Sequence, residues 1–287
     1  MDARRVREHR TERKRKRKQP RPHHSRRIRP RRGRSFPSAA RGPFVTLAAP
    51  CPKGETLADT TLTWLGHSAF RLDTAGGKRI YVDPFLNGNP TCPEGERDPE
   101  RADVVALTHG HGDHVGDTVA IAQKHGSTVV AIVELSHWLG TQGVDGAKLP
   151  GPNKGGTVDV DGVKFTLTVA FHSGSGPDGS YVGEPSGLIV ETEDGKTLYF
   201  AGDTCMFGDM ALIARVYKPD LSILPIGDHY TMGPREAAVA LELLQAKRCV
   251  PCHWGTFPVL TGTPAELQKL APNVKVEQIE PGESVTV

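Results

Sequence analysis

The sequence predicts an α/β protein of the mixed (α+β) type, in which mixed sheets pack together with helices outside. The chain from about Thr60 onward opens with short β segments and then alternates strand patterns with helix patterns. Its composition is that of a globular protein, with 37% hydrophobic and 24% charged residues in a chain of 287. No apolar run approaches the roughly 20 residues that a membrane helix needs, so we expect no integral membrane protein.

The first half of this region contains most of the predicted strands. LTWLGHSAFRLDT and RIYVDPF flank a turn at AGGK, which predicts a hairpin or meander. DVVALTHGHGDHVGDTVAIAQKHG predicts a strand, a glycine-rich loop and a helix, and the strand TVVAIV and the helix ELSHWLGTQG follow. Strands are predicted next in GTVDVDGVKFTLTVAF, SGLIVET and KTLYFAGD. These runs are rich in β-branched and aromatic residues and are bounded by Gly and Asp.

The second half alternates more regularly. FGDMALIARVYK predicts a helix, LSILPIGD a buried strand, and PREAAVALELLQAK a helix with proline in its first turn. The strand RCVPC, the helix TPAELQKLA and the strand KVEQI complete the chain.

The N-terminal extension differs chemically from the rest. Residues 1–50 hold 18 of the 36 basic residues but only 3 of the 33 acidic ones, which gives +15 there and −12 in the remainder. Because it has almost no aliphatic residues, we expect residues 1–55 to be disordered and residues 56–287 to form one folded domain. The alternatives for the extension are a nucleic-acid-binding tail, a targeting signal or an over-extended translation start.

The cysteines indicate the compartment. Five cysteines are too few and too scattered for a disulfide framework, which favours a reducing, cytoplasmic location. Cys249 to His253 spells C-V-P-C-H, a haem-attachment pattern that also contains a CxxC pair. Both uses are disfavoured, because the pair lies inside a predicted strand and the chain has no credible export signal.

A cluster of histidines indicates a metal site. His109, His111 and His114 lie within six residues, together with Asp113. Glycines between them allow the backbone to bend so that the rings converge. Imidazole and carboxylate are good ligands for zinc and related divalent ions, so this motif predicts metal binding.

Further polar residues follow other predicted strands and should emerge at the same edge. These residues are His172, Asp203, Asp228, His229 and His253. The candidates exceed the four ligands of one tetrahedral zinc ion, so two metals fit the count better.

Five segments in a fixed order give the chain a resemblance to the metallo-β-lactamase superfamily. They are THGHGDHVGD, AFHSGS, AGDT, LPIGDHYTMGP and PCHWGTFP. The resemblance is greatest to its metal-dependent hydrolases related to L-ascorbate-6-phosphate lactonase. It implies a four-layer αββα sandwich with a dinuclear centre at one edge. It also implies the ligands: His109, His111 and His172 for one ion, Asp113, His114 and His253 for the other, and Asp203 between them.

The cofactors expected from this are two divalent metal ions, with zinc first and Mn²⁺ or Fe²⁺ also suited to these ligands. Asp113 would orient the nucleophile. His229 would donate a proton to the leaving group or bind an anionic substrate oxygen, with fixing a ligand as the alternative. His67 is placed near the site by the resemblance, with a core role as the alternative. Asp83 supports a ligand or is only a turn residue before Pro84.

The predicted function is hydrolysis of an ester, lactone or phosphodiester bond in a small-molecule substrate by metal-activated water. The glycine-rich segment from Ser173 to Pro185 predicts a mobile loop over the site, with Tyr181 and Glu184 as substrate contacts. Two alternatives stay open: a ribonuclease or phosphodiesterase, and a nucleic-acid-binding protein that acts through its basic tail. Nucleic acid is expected only through that tail, and the sequence does not predict the oligomeric state.

Overall fold

Two β-sheets form the framework of residues 59–287, the part of the chain that the computed structural model describes. The first sheet contains β1 (Thr61–Trp64), β2 (Phe70–Asp73), β3 (Arg79–Val82), β4 (Val104–Ala106), β5 (Thr128–Val130) and β13 (Ser284–Thr286). Its order is β13-β1-β2-β3-β4-β5. Pairing is antiparallel from β13 to β3 and parallel from β3 to β5.

The second sheet contains β6 (Thr157–Val160), β7 (Val163–Val169), β8 (Ser186–Glu191), β9 (Thr197–Phe200), β10 (Leu221–Pro225), β11 (Arg248–Cys252) and β12 (Lys275–Val276). Neighbouring strands in this sheet are also consecutive in the chain, from β6 at one edge to β12 at the other. β6 to β9 pair antiparallel, whereas β9 to β12 pair parallel. The carboxyl ends of these parallel strands therefore meet at one edge.

Helices cover the outer face of each sheet. α1 (Gly112–Val115), α2 (Thr118–His125) and α3 (Val133–Thr141) belong to the first half, and α4 (Met210–Tyr217), α5 (Pro234–Leu243) and α6 (Pro264–Leu270) to the second. Buried residues of α2 and α3 join a core that both sheets share, where the Phe70 and Phe200 rings lie 5.7 Å apart. Residues of α4, α5 and α6 build a separate core on the outer face of the second sheet. The four-layer αββα prediction is confirmed.

The differences from the predicted elements are local. The first predicted strand run divides into β1 and β2, because the chain turns at Gly66, whose φ is +87°. His67 therefore lies in this turn, and its predicted place on a strand was wrong. KVEQI forms only the two-residue β12, and β13 was not predicted.

Residues 1–55, predicted as a disordered extension, lie outside the described residues. Within residues 59–287, no helix combines the length and the apolar character needed to cross a membrane.

Candidate metal centre

The predicted ligands lie in loops that follow strands of both sheets. His109, His111, Asp113 and His114 occupy the segment between β4 and the end of α1. His172, Asp203 and His253 follow β7, β9 and β11. Their ligand atoms form three overlapping groups within 4.8 Å, and these groups contain all seven predicted ligands. Their role as ligands stays a prediction.

The first group contains three imidazoles. His109 Nε2 and His111 Nδ1 are 3.0 Å apart. The His172 ring lies 5.3 Å from the His109 ring and 5.2 Å from the His111 ring, measured between centroids. His109 is buried, whereas His111 and His172 are partly exposed, so this group opens toward solvent on one side.

Gly110 allows the loop between the first two ligands to pass close to a neighbouring segment. A Cβ at this position would lie 2.2 Å from Val182 Cγ2 and 2.9 Å from the Ser175 carbonyl oxygen. The glycine-rich segment predicted to cover the site therefore packs directly against the metal-binding loop. Its mobility stays a prediction.

Asp203 lies among histidines of both halves of the predicted centre. Its Oδ2 is 3.5 Å from His172 Nε2, 3.4 Å from His114 Nε2 and 3.2 Å from His253 Nε2. The second half of the centre also contains Asp113, whose Oδ2 is 3.9 Å from His253 Nε2.

This donor set fits divalent metal ions. His114 Nε2 and Asp203 Oδ1 are buried without a hydrogen-bond partner among the described residues, which is costly unless something else binds them. Two donors of one tetrahedral zinc ion, each about 2.0–2.1 Å from it, are about 3.3 Å apart. The separations of 3.0 to 3.5 Å between His109 and His111, and between Asp203 and its three histidines, match that spacing.

Asp83 and Thr108 fix the orientation of two ligands. His114 Nδ1 donates to Asp83 Oδ2 at 2.8 Å, and the Thr108 hydroxyl donates to the same oxygen at 2.6 Å. Since that hydroxyl hydrogen is used, the Thr108 oxygen accepts from His109 Nδ1 at 3.0 Å. Both rings therefore turn Nε2 toward the cluster, as metal-ligating histidines do. The structure favours the supporting role for Asp83, and the sequence analysis missed Thr108.

His67 contacts the other half of the centre. It is fully buried, and its Nε2 donates to Asp113 Oδ2 at 3.1 Å. Burial lowers the pKa of His67 to about 4 although Asp113 opposes the shift, so the ring is neutral at pH 7. Nδ1 therefore accepts from the Thr256 hydroxyl at 3.1 Å.

Burial and charge set the protonation states of the metal-free cluster. Burial, followed by the nearby His114, lowers the pKa of His109 well below its usual value. Burial also disfavours charged His114, but Asp203 and Asp83 outweigh it and raise the pKa of this ring well above normal. Asp203 is ionised in spite of burial, since His114 and His253 hold its pKa well below the usual range.

The remaining predicted residues lie outside these groups. Asp228 and His229 follow β10 at positive φ and are exposed, and the His229 ring contacts Tyr230 at 4.4 Å between centroids. His125 and His137 lie in α2 and α3.

The two cysteines before His253 are buried in β11, and burial raises the pKa of both thiols. These are poor conditions for thiolate redox chemistry, which agrees with the prediction from sequence.

Known proteins resemble this chain in sequence. A family model described as "Beta-lactamase superfamily domain" matches residues 78–254. A "UPF0173 metal-dependent hydrolase" from Herpetosiphon aurantiacus is 48% identical over 238 residues, covering 80% of this chain and 99% of the relative. A protein of the same description from Rubrobacter xylanophilus is 47% identical over 239 residues, covering 80% and 98%.

Among solved structures, the metallo hydrolase Igni18 from Ignicoccus hospitalis has a similar fold. Its TM-score is 0.71 at 36% sequence identity, covering 80% of this chain and 99% of that chain.

Proposed function

The chain belongs to the beta-lactamase superfamily and is a metal-dependent hydrolase, and we propose that it cleaves a carboxylic ester or lactone with a dinuclear metal centre. His109, His111 and His172 would hold one ion, and Asp113, His114 and His253 would hold the other. Asp203 would be shared by the two. A relationship to ascorbate-phosphate lactonase and a cytoplasmic location stay predictions.

The position of Asp203 carries this proposal. A single carboxylate oxygen lies within 3.5 Å of His172 from one group and of His114 and His253 from the other. A mononuclear site would need ligands from only one of these groups. A buried carboxylate shared by both is the arrangement expected of a bridging ligand.

Zinc suits these nitrogen and oxygen donors, and two such ions would polarise the scissile carbonyl and lower the pKa of a bound water to near neutrality. The side chain of Asp113 is 35% exposed, so solvent reaches it and it would orient the attacking water. His229, exposed beyond β10, donates the proton that the leaving group needs.

The mouth of the centre favours an uncharged substrate over nucleic acid. Tyr181 is 72% exposed on the loop that packs on Gly110, and Phe257 is 38% exposed with its ring 5.6 Å from that of His67. The same loop contributes the carboxylates of Asp178, which has no cationic partner among residues 59–287, and of Glu184, which pairs with Lys154 at 3.0 Å. The two aromatic rings offer apolar contacts, and the Asp178 carboxylate would repel a phosphate backbone, which argues against the ribonuclease alternative.

The test combines metal analysis with a substrate panel. Protein saturated with zinc or manganese should contain about two ions per chain and should hydrolyse nitrophenyl esters or lactones faster than bis-nitrophenyl phosphate. Asp203→Ala should lose at least one ion. Asp161→Ala, at an exposed turn between β6 and β7, is the control and should keep both. One bound ion in the wild type, or full occupancy in Asp203→Ala, would contradict the bridged centre.

A further inference from the structure

We infer that His67 is a positioning residue that fixes Asp113 and His253, two ligands of one ion, and is not itself a ligand. This inference rests on the proposed dinuclear function. Distance alone would allow ligation, because a ring nitrogen of His67 lies within 4.8 Å of ligand atoms of Asp113, His114 and His253. The count of donors and the hydrogen bonds of the ring decide between the two roles. Four other donors already suffice for a tetrahedral ion, namely those of Asp113, His114, His253 and Asp203.

Both ring nitrogens of His67 are already engaged. Nε2 bears the hydrogen that the Asp113 carboxylate accepts at 3.1 Å, and Nδ1 accepts from the Thr256 hydroxyl at 3.1 Å. Neither nitrogen keeps a free lone pair for a metal. The bond to Oδ2 fixes the rotation of the Asp113 carboxylate and so directs its other oxygen.

The backbone of His67 makes the second connection. Its carbonyl oxygen accepts from His253 N at 2.9 Å and from Trp64 Nε1 at 2.9 Å. The Trp64 ring stacks on Trp254, the residue after His253, with centroids 5.3 Å apart.

His67 therefore joins ligands that come from different sheets. It lies between β1 and β2 of the first sheet, Asp113 follows β4 of that sheet, and His253 follows β11 of the second sheet. The rings of His67 and His253 lie 4.0 Å apart, so the two side chains also pack together. Removing the imidazole would free the Asp113 carboxylate and take away one wall of the His253 ring. Losing such a partner of a ligand typically lowers metal affinity about 10–100-fold.

Two substitutions distinguish the loss of the hydrogen bond between His67 and Asp113 from a loss of the fold. His67 has φ +53°, a left-handed conformation that asparagine tolerates well. His67→Asn keeps this backbone and places an amide near the position of Nδ1, but its side chain is too short to reach Asp113. His67→Gln places an amide nitrogen near the position of Nε2 and can still donate to Asp113. His125→Asn is the matched control, since that ring contacts the Pro99 carbonyl oxygen from α2.

The experiment measures Zn²⁺ affinity by calorimetry and the Co²⁺ absorption spectrum at saturation. We expect His67→Asn to bind one of the two ions about 10–100-fold more weakly, with the saturated Co²⁺ spectrum of the wild type. His67→Gln should recover most of the affinity, and His125→Asn should match the wild type. Thr256→Val removes the Nδ1 partner, together with the longer contact of the same hydroxyl to the Trp254 carbonyl oxygen at 3.4 Å. It should show a several-fold loss of affinity and covers the case in which His67→Asn does not fold.

A saturated Co²⁺ spectrum that reports one nitrogen ligand fewer in His67→Asn would make His67 a ligand and overturn the inference. Wild-type affinity for both ions in His67→Asn would overturn it as well. Either result leaves the dinuclear function intact as long as the wild type binds two ions. A wild type that binds only one ion would instead refute the dinuclear function itself.

Discussion

Asp83→Asn tests how the protein orients its predicted ligands. Three donors converge on the Asp83 carboxylate: the Thr108 amide at 2.8 Å, the Thr108 hydroxyl at 2.6 Å and His114 Nδ1 at 2.8 Å. Asparagine keeps one acceptor oxygen and replaces the other by an NH₂ group that faces a donor. Its backbone is not the problem, because Asp83 has φ +46° and asparagine adopts this conformation readily.

The magnitude follows from the hydrogen bonds that asparagine cannot accept. Asp83 is 1% exposed, so solvent cannot replace the missing acceptor. A hydrogen bond to a charged group contributes about 1.5–3 kcal/mol, and a buried donor without an acceptor costs about 1–3 kcal/mol. We therefore expect the free energy of unfolding of the metal-free protein to fall by about 2–4 kcal/mol. Metal affinity should fall about 10–100-fold, because His114 loses the group that orients it.

Urea denaturation with a chelator present measures the free energy of unfolding of the metal-free protein. Calorimetric titration with zinc measures the metal affinity. Asp161→Asn is the matched control, since Asp161 also has a positive φ, +51°, but its side chain is 73% exposed. We expect it to change the free energy of unfolding by less than about 0.5 kcal/mol. If both variants behave alike, the orienting role of Asp83 is refuted.

Three further predictions concern the rim of the centre. His229→Ala should keep both ions but lower kcat by about 10²–10⁴-fold, and less for a nitrophenolate leaving group; full rescue by excess zinc would end the proton-donor role. Gly110→Ala should displace the loop at Val182 and weaken metal binding, as hydrogen exchange and zinc titration would detect. Hydrogen bonds from Ser180, then Trp138, lower the pKa of Asp178 to about 2. The contribution of this carboxylate to loop stability is therefore present above about pH 4 and should disappear as the pH falls through 2. Limited proteolysis should then cleave the loop faster than the core.

The sequence predicted which side chains come together in the cluster because their signals are local, while their role as ligands stays a prediction. Three of them share one short motif with Asp113, and the others directly follow apolar strands whose carboxyl ends meet at one edge. This rule needs only the point at which each strand ends, which a buried β-branched run followed by polar residues makes visible in the sequence. The same rule also selected Asp228 and His229, which lie outside the three ligand groups. A position after a strand therefore indicates the edge of the sheet but not the direction of the side chain.

The groups that orient the ligands could not be predicted in this way. His67 meets Thr256 across 189 positions of the chain, and Asp83 meets His114 across 31. Neither Thr256 nor Thr108 has a neighbouring sequence pattern that distinguishes it from a structural residue. Their roles depend on which hydrogen each hydroxyl donates, and this follows only from the positions of all partners together.

Backbone strain connects these observations. Of the eight non-glycine residues with positive φ among residues 59–287, five lie in turns at this edge: His67, Asp83, Asp228, His229 and His253. Such conformations cost on the order of 1 kcal/mol or more each and persist only where the surrounding contacts hold them. At His67, Asp83 and His253 the holding contacts are the hydrogen bonds that orient the predicted ligands. Within the described part of the chain, Asp228 and His229 make no such bond to the cluster; Asp228 Oδ1 instead accepts from the His229 amide at 2.7 Å, and both residues are exposed. The positive φ at these two residues is therefore held by their own turn and leaves the His229 ring in solvent, where the proposed proton donor has to be in order to meet a leaving group.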